Sequence, residues 1–232
     1  MIEIRKAEER GRTRLSWLDG RHSFSFNRYY DPKWMGFRSL RVINDDRIAA
    51  GGKFGTHPHE NMEILTWVLD GRLVHEDSTG GRGELLPGDL QKMTAGTGVY
   101  HSEANGSGTE PLRLLQIWIE PAEKGLQPYY EQAHYPLEQR RNALKLVAAR
   151  DGREGALAVH QDADLYIGNL DRDAVVKHEF AAGRHGWVQV ACGSVRLNGF
   201  ELREGDGAAV SGEPGIAVKA ESDAEVLLFD LA

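Results

Sequence analysis

From Gly51 onward, glycine-containing turns cut the chain every eight to twelve residues, a spacing that suits short β-strands and leaves no room for long helices. Met62–Leu69 (MEILTWVL) is an apolar run that stops at Asp70-Gly71, a strong hairpin signal, and Arg72–Asp77 reads as its return strand. Turns follow at Thr79–Gly83 and Leu85–Asp89, then Gln91-Lys92-Met93 leads through Thr94–Gly98 to a further segment, and Leu112–Ile119 (LRLLQIWI) is another strand. Strand signals resume at Lys145–Ala149, Asp164–Asn169, Trp187–Ala191, Val195–Leu197 and Glu225–Phe229, with turns at Asn198-Gly199 and Glu204–Gly207. The pattern of 67–89 recurs at 187–207, which points to two related β-domains. The predicted class is all-β, a barrel or sandwich, and 27 glycines against 8 prolines agree with many tight turns.

The first fifty residues are less regular. Ile2-Glu3-Ile4 is a short strand candidate, and the aromatic block Trp17–Phe37 reads as loop and strand pieces draped over a core. Leu40–Asp46 reads as a strand that ends in a turn. Residues 121–142 are polar with little periodicity and are expected to connect two halves, residues 1–130 and 131–232.

With 28 basic and 35 acidic residues the net charge is −7, and no basic run offers a surface for a phosphate backbone. A direct nucleic-acid role is therefore not expected. The single cysteine, Cys192, excludes an internal disulfide and fits a reducing compartment; it reads as a buried small hydrophobe. Neither a signal-like apolar run at the N-terminus nor a stretch of membrane-spanning length is present, so the expectation is a cytoplasmic monomer.

One constellation carries chemistry. His57 and His59 stand two apart in Thr56-His57-Pro58-His59, as do His101 and Glu103 in His101-Ser102-Glu103. Alternate residues of a strand leave the same face, so each pair can point into one interior. Three neutral imidazoles and a carboxylate form a mixed N/O set suited to a divalent first-row metal such as Fe(II). Glu63 is a second carboxylate in range: a straight strand from His57 would put it on the same face, whereas a bend after Pro58 or Asn61 would not. Parity alone does not choose between Glu63 and Glu103.

The spacing Gly51-x5-His57-x-His59-x3-Glu63, followed by Gly71, resembles the first motif of the cupins, and Gly98-x2-His101-x3-Asn105 the end of their second. Gly96 stands where that second motif usually has proline. FGTHPHENMEILTWVLDG, VHEDSTG and MTAGTGVYHSEAN are more particularly similar to the pirin family, above all to bacterial members described as quercetin 2,3-dioxygenases. The likeness spans the chain, strongly over about residues 16–120. It implies two packed jelly-roll cupin barrels with few short helices, the N-terminal one holding a metal and the C-terminal one degenerate. It also implies His57, His59, His101 and Glu103 as ligands, Glu63 in a supporting role, and Glu103 as a base. The implied cofactor is one divalent ion, Fe(II) foremost, with Zn, Mn, Ni, Co and Cu as the other candidates. The implied reaction is O2-dependent opening of a flavonol with release of carbon monoxide. A second implied role is that of a metal- or redox-sensitive regulatory protein with a protein partner, and a third is another small-molecule cupin reaction.

Other residues are weighed against plainer roles. Phe54 is expected to line an apolar mouth, with Trp67 or Trp118 adding aromatic wall. His75 is expected to be a surface or hydrogen-bonded histidine rather than a ligand, and His22 a packing residue or one that supports the site from behind. His134 and His160 read as loop or surface, and His178 and His185 lack partners at metal-ligand spacing. Gly80–Gly83 has no helix or Lys-Ser/Thr after it and is not a phosphate loop. Arg140-Arg141 is a solvated pair.

Overall fold

The computed structural model describes residues Met1–Ala232. The first half contains strands β1 (Ile2–Arg5), β2 (Gly11–Arg14), β3 (Leu18–His22), β4 (Leu40–Ile48), β5 (Lys53–His59), β6 (Glu63–Asp70), β7 (Leu73–Asp77), β8 (Arg82–Leu85), β9 (Asp89–Thr94), β10 (Val99–Asn105), β11 (Leu112–Ile119) and β12 (Tyr129–His134). The second contains β13 (Lys145–Ala149), β14 (Leu157–Ala158), β15 (Ala163–Leu170), β16 (Val175–Glu179), β17 (His185–Cys192), β18 (Ser194–Leu197), β19 (Phe200–Arg203), β20 (Gly207–Ser211), β21 (Gly215–Ala220) and β22 (Ala224–Leu231). The one α-helix is the single turn Leu137–Arg140, and no helix is long and apolar enough to cross a membrane.

Each half is a two-sheet barrel of the same make. The first pairs a seven-stranded sheet, β12-β9-β6-β11-β4-β3-β2, with a four-stranded sheet, β5-β10-β7-β8. The second pairs β1-β20-β17-β22-β15-β13-β14 with β16-β21-β18-β19. The all-β expectation of two cupin barrels is met. Two details depart from the sequence reading. The polar stretch around Tyr129–His134 is a strand that pairs with β9 from Tyr129↔Thr94 to His134↔Asp89, so a division at 130/131 falls inside β12. The N-terminal strand β1 pairs with β20 of the second barrel, so the first half of the chain supplies an edge strand to the second barrel.

The two large sheets pack face to face, and the main apolar cluster lies between the barrels. Leu65, Trp67 and Ile117 of the first sheet meet Ile167, Trp187, Leu227 and Phe229 of the second in a cluster of 24 buried residues. Side-chain alternation sends the other face of each strand inward. In the second barrel the inward residues form one continuous cluster of 16, including Val188, Val195, Leu202 and Val226. In the first barrel the interior apolar residues split into clusters of 7 and 4, the first around Leu73 and Val68 and the second around Ile64 and Met93. Polar groups occupy the first barrel's interior as well, among them Thr66, His75, Gln91, His101 and Glu103, all buried.

Candidate metal centre

Strand β10 is hydrogen-bonded between β5 and β7, and its register brings the histidines together. His101 lies opposite His57 and Val99 opposite His59, while on the other side His101 faces Asp77 and Glu103 faces His75. A register shift between His101 and Glu103 bends the strand as it enters the barrel. The rings of His57, His59 and His101 form a near-regular triangle, with centroids 4.8, 4.4 and 4.8 Å apart.

The hydrogen-bond partners assign the tautomers. His57 Nδ1 donates to the Gly55 carbonyl at 2.8 Å, which leaves Nε2 without a proton. Asp77 anchors a longer chain: its Oδ1 accepts from the Thr79 amide, the Thr79 hydroxyl and the Gly81 amide, and its Oδ2 faces His75 Nε2 at 3.0 Å. Burial alone would raise the Asp77 carboxyl, but the Thr79 and His75 bonds and the backbone amides hold it below the usual range. An ionised Asp77 only accepts, so His75 Nε2 carries the proton and His75 Nδ1 is an acceptor. That acceptor faces His101 Nδ1 at 3.5 Å, so His101 protonates there and its Nε2 is bare. The two bare nitrogens, His57 Nε2 and His101 Nε2, then stand 3.0 Å apart. His59 Nε2 is buried with no hydrogen-bond partner.

Converging lone pairs without protons repel one another, and a shared cation relieves that repulsion. Burial, together with the neighbouring histidines, lowers His59 to about 4 and His101 to about 3, so both are neutral at physiological pH. Ligand-competent atoms of His57, His59 and His101 lie within 4.8 Å of one another, as do those of His75, His101 and Glu103. The donor set fits a divalent metal ion.

Glu103 lies deeper on β10, and its Oε2 accepts from Gln116 Nε2 at 3.0 Å. Its Oε1 lies 3.3 Å from Thr66 Oγ1 and 3.5 Å from Gln91 Nε2. Glu63 points the other way. Asn61 takes a positive φ of 48° and breaks the line from β5 to β6, so Thr66 faces the barrel interior whereas Glu63, Leu65 and Trp67 face the second barrel. Glu63 bonds Thr94 Oγ1 at 3.2 Å and His160 Nδ1 at 3.3 Å. Gly96, whose carbonyl accepts from the Asn61 amide, has φ of 48°, which proline cannot adopt. The departure from the usual second motif therefore has a backbone cause.

A cavity of about 690 Å³ opens above the histidines, within the ~300–1,000 Å³ range of small-molecule sites. Phe54 and Trp118 line it, with Phe26 edge-on to Trp118 and His59 edge-on to the same indole. Trp67 does not: it is fully buried between the barrels, where its indole donates to Glu225. Polar lining groups that the sequence reading did not place at the site include Asn44, Asp46 and Gln116, and His22, expected to pack or to support the site, lines it as well. His22 is bonded to Asn44 and Thr13, each at 2.8 Å. β4, expected to end in a turn by Asp46, runs on as far as Ile48. Reading that strand whole would have aligned Asn44 and Asp46 with the inward Ile48. Asp46 is buried, and burial, with help from Asp45 and Glu103, pushes its carboxyl up to about 8.

The remaining candidates fall elsewhere. His75 is fully buried behind the triangle and stacked on Tyr130. His134 bonds Asp89, His178 bonds Asp230 and His185 bonds Ser211, each within its own barrel. Cys192 is half-buried rather than a sealed hydrophobe, with Arg113 Nη1 3.5 Å from its sulfur. Arg140, half of the pair read as solvated, is buried over the Trp67 ring.

Two barrels on a shared interface, with an imidazole triangle at the mouth of the first, define a metal-binding bicupin. The profile of the pirin family, described as "Pirin", matches residues 3–119, and one described as "Quercetinase C-terminal cupin domain" matches residues 146–231. The chain belongs to the pirin family. It is 51% identical over 231 residues to a protein of Escherichia coli K12 named quercetin 2,3-dioxygenase, covering 100% of this chain and 99% of that one. The crystal structure of E. coli YhhW superposes with a TM-score of 0.96 at 51% identity, covering 100% of this chain and 98% of that one. Bacterial pirin YhhW in complex with nickel(II) gives 0.94 at 50% identity, covering 100% and 99%.

Proposed function

We propose that this chain is a metal-dependent dioxygenase that opens quercetin-like flavonols with O2 and releases carbon monoxide. His57, His59, His101 and Glu103 hold the ion, and iron(II) is the ion proposed. The observation that carries this reading is the convergence of the His57, His59 and His101 rings, with His57 Nε2 and His101 Nε2 3.0 Å apart and His59 Nε2 buried without a partner, beside an aromatic-walled cavity that His57 and His59 line. The relative named quercetin 2,3-dioxygenase, alike over its whole length, supports the substrate class.

A bound divalent ion supplies Lewis acidity toward a chelating hydroxy-ketone and redox chemistry toward O2. The residues of the chain supply the rest. Phe26, Phe54 and Trp118 offer flat faces to an aromatic ring system and keep water from it. Glu103, steadied by Gln116, accepts the proton of the substrate hydroxyl. Asp46, protonated at neutral pH, donates a hydrogen bond toward a substrate oxygen on the cavity wall. The metal-bearing unit is the barrel of residues 1–130, completed by the rest of β12 and without β1. The single unpaired Cys192 supports a cytoplasmic setting.

O2 uptake and carbon monoxide release with quercetin, measured on metal-loaded and metal-stripped protein, test the reading. Turnover that depends on metal and falls at least tenfold in Glu103→Gln is expected. Equal turnover in the stripped protein would remove the proposed mechanism.

A further inference from the structure

On the far face of β6 and β9, away from the metal, a second polar constellation faces the seam between the barrels. Lys92 is almost completely buried there, its side chain 2% exposed. The carboxylate paired with its amine, Glu63 Oε2, is 4.0 Å away, beyond hydrogen-bonding distance. The ring of Tyr129 covers the amine with its centroid at 5.1 Å. Glu63 is itself fully buried and is held by Thr94 and by His160, which comes from the second barrel. Lys92 and His160 line a cavity of about 530 Å³ whose other walls include Leu126, Pro128, Tyr129 and Ala158.

A lysine so enclosed normally pairs with several acceptors, because an unpaired buried ammonium is strongly disfavoured. Here burial dominates and lowers its pKa, against the raising influence of Glu63 and Glu131. Those same carboxylates make the cavity unwelcoming to an anion. An amine whose free form burial favours, beside Glu63 and in a pocket walled by Leu126, Pro128, Tyr129 and Ala158 with Glu131 at its edge, suits a neutral electrophile.

We propose that the cavity between the barrels binds a small aromatic aldehyde or ketone and holds it as an imine on Lys92. The amine lone pair attacks the carbonyl carbon, and the C=O π pair moves to oxygen. Glu63 carries one nitrogen proton to the alkoxide, giving the carbinolamine hydroxyl, and then the second nitrogen proton to that hydroxyl, so that water leaves as the C=N bond forms. No oxidant or reductant is needed. His160, half exposed and 3.3 Å from Glu63, gives the carboxyl a route for proton exchange with solvent.

The test is reductive trapping with benzaldehyde and cyanoborohydride at pH 7, followed by peptide mapping of the full-length protein. With its pKa lowered by burial, Lys92 should be benzylated faster than exposed lysines such as Lys33, and Glu63→Gln should slow Lys92 while leaving Lys33 unchanged. Lys92→Met should remove the fast adduct and keep the metal content of the wild type, which shows that the barrel is intact. If Lys92→Met does not fold, the Glu63→Gln comparison decides alone. Labelling spread over the surface lysines with Lys92 unmodified, or a Glu63→Gln rate equal to wild type, would overturn the proposal.

Discussion

Replacing Asp77 by asparagine tests the tautomer chain behind His101 while leaving its surroundings in place. The side chain keeps its shape, and Oδ1 can still accept from Thr79 and Gly81, so the β7–β8 turn is retained. What changes is the atom 3.0 Å from His75 Nε2, from an acceptor to an N–H donor. His75 must then accept at Nε2 and carry its proton on Nδ1. That proton points at His101 Nδ1 and turns His101 into the tautomer with hydrogen on Nε2, the atom that faces His57 Nε2. The variant can bind metal only by breaking one of these bonds or by giving up His101. Losses of this kind are about 10–100-fold in metal affinity, or about 1.4–2.7 kcal/mol. Competitive titration of the stripped protein against a chelator of known affinity measures it, with apoprotein melting as the control for folding. Wild-type affinity in Asp77→Asn would refute the relay, and His75→Phe should reproduce the loss if the relay is real.

Three further outcomes are expected. His59 and His101 have folded values of about 4 and 3, below the ordinary value of about 6.5, so the unfolded apoprotein takes up their protons first. Apoprotein stability should accordingly be level above pH 6.5 and fall as pH drops toward 4, by at most about 2.7 kcal/mol per pH unit for two protons, as read by denaturant melts across that window. Trp67→Ala opens the seam between the barrels and should lower unfolding free energy by about 3–5 kcal/mol in denaturant titration, without altering metal stoichiometry. Gly96→Pro should prevent accumulation of soluble, metal-competent protein, because the φ of 48° is closed to proline and a Cβ there meets the Leu126 carbonyl; normal metal content would contradict this.

The fold class was legible in the turn spacing, because glycine and Asn/Asp turns break the chain wherever a strand must reverse. The metal candidates were legible because a strand's two-residue period places His57 with His59 and His101 with Glu103. What the sequence did not disclose depends on long-range pairing. Tyr129–His134 looks like a linker because an edge strand that pairs only with β9 needs no apolar run. Glu63 could not be placed by parity, since the positive φ at Asn61 shifts the phase between two strands of different sheets. Asp46 and Asn44 were lost by ending β4 at a run of polar residues, which are polar because they line the cavity. Lys92 and His160 lie far apart in sequence, and only the packing of one barrel on the other brings both to one cavity.

The central claim is that the three histidines and Glu103 hold one divalent ion. Elemental analysis of protein dialysed against excess metal, for the wild type and for His57→Ala, His59→Ala, His101→Ala and Glu103→Ala, tests it most directly. The expected result is one ion per chain in the wild type and a loss in each variant, with Glu63→Gln retaining the wild-type content. Undiminished metal in the histidine variants, or loss in Glu63→Gln with retention in Glu103→Ala, would contradict it.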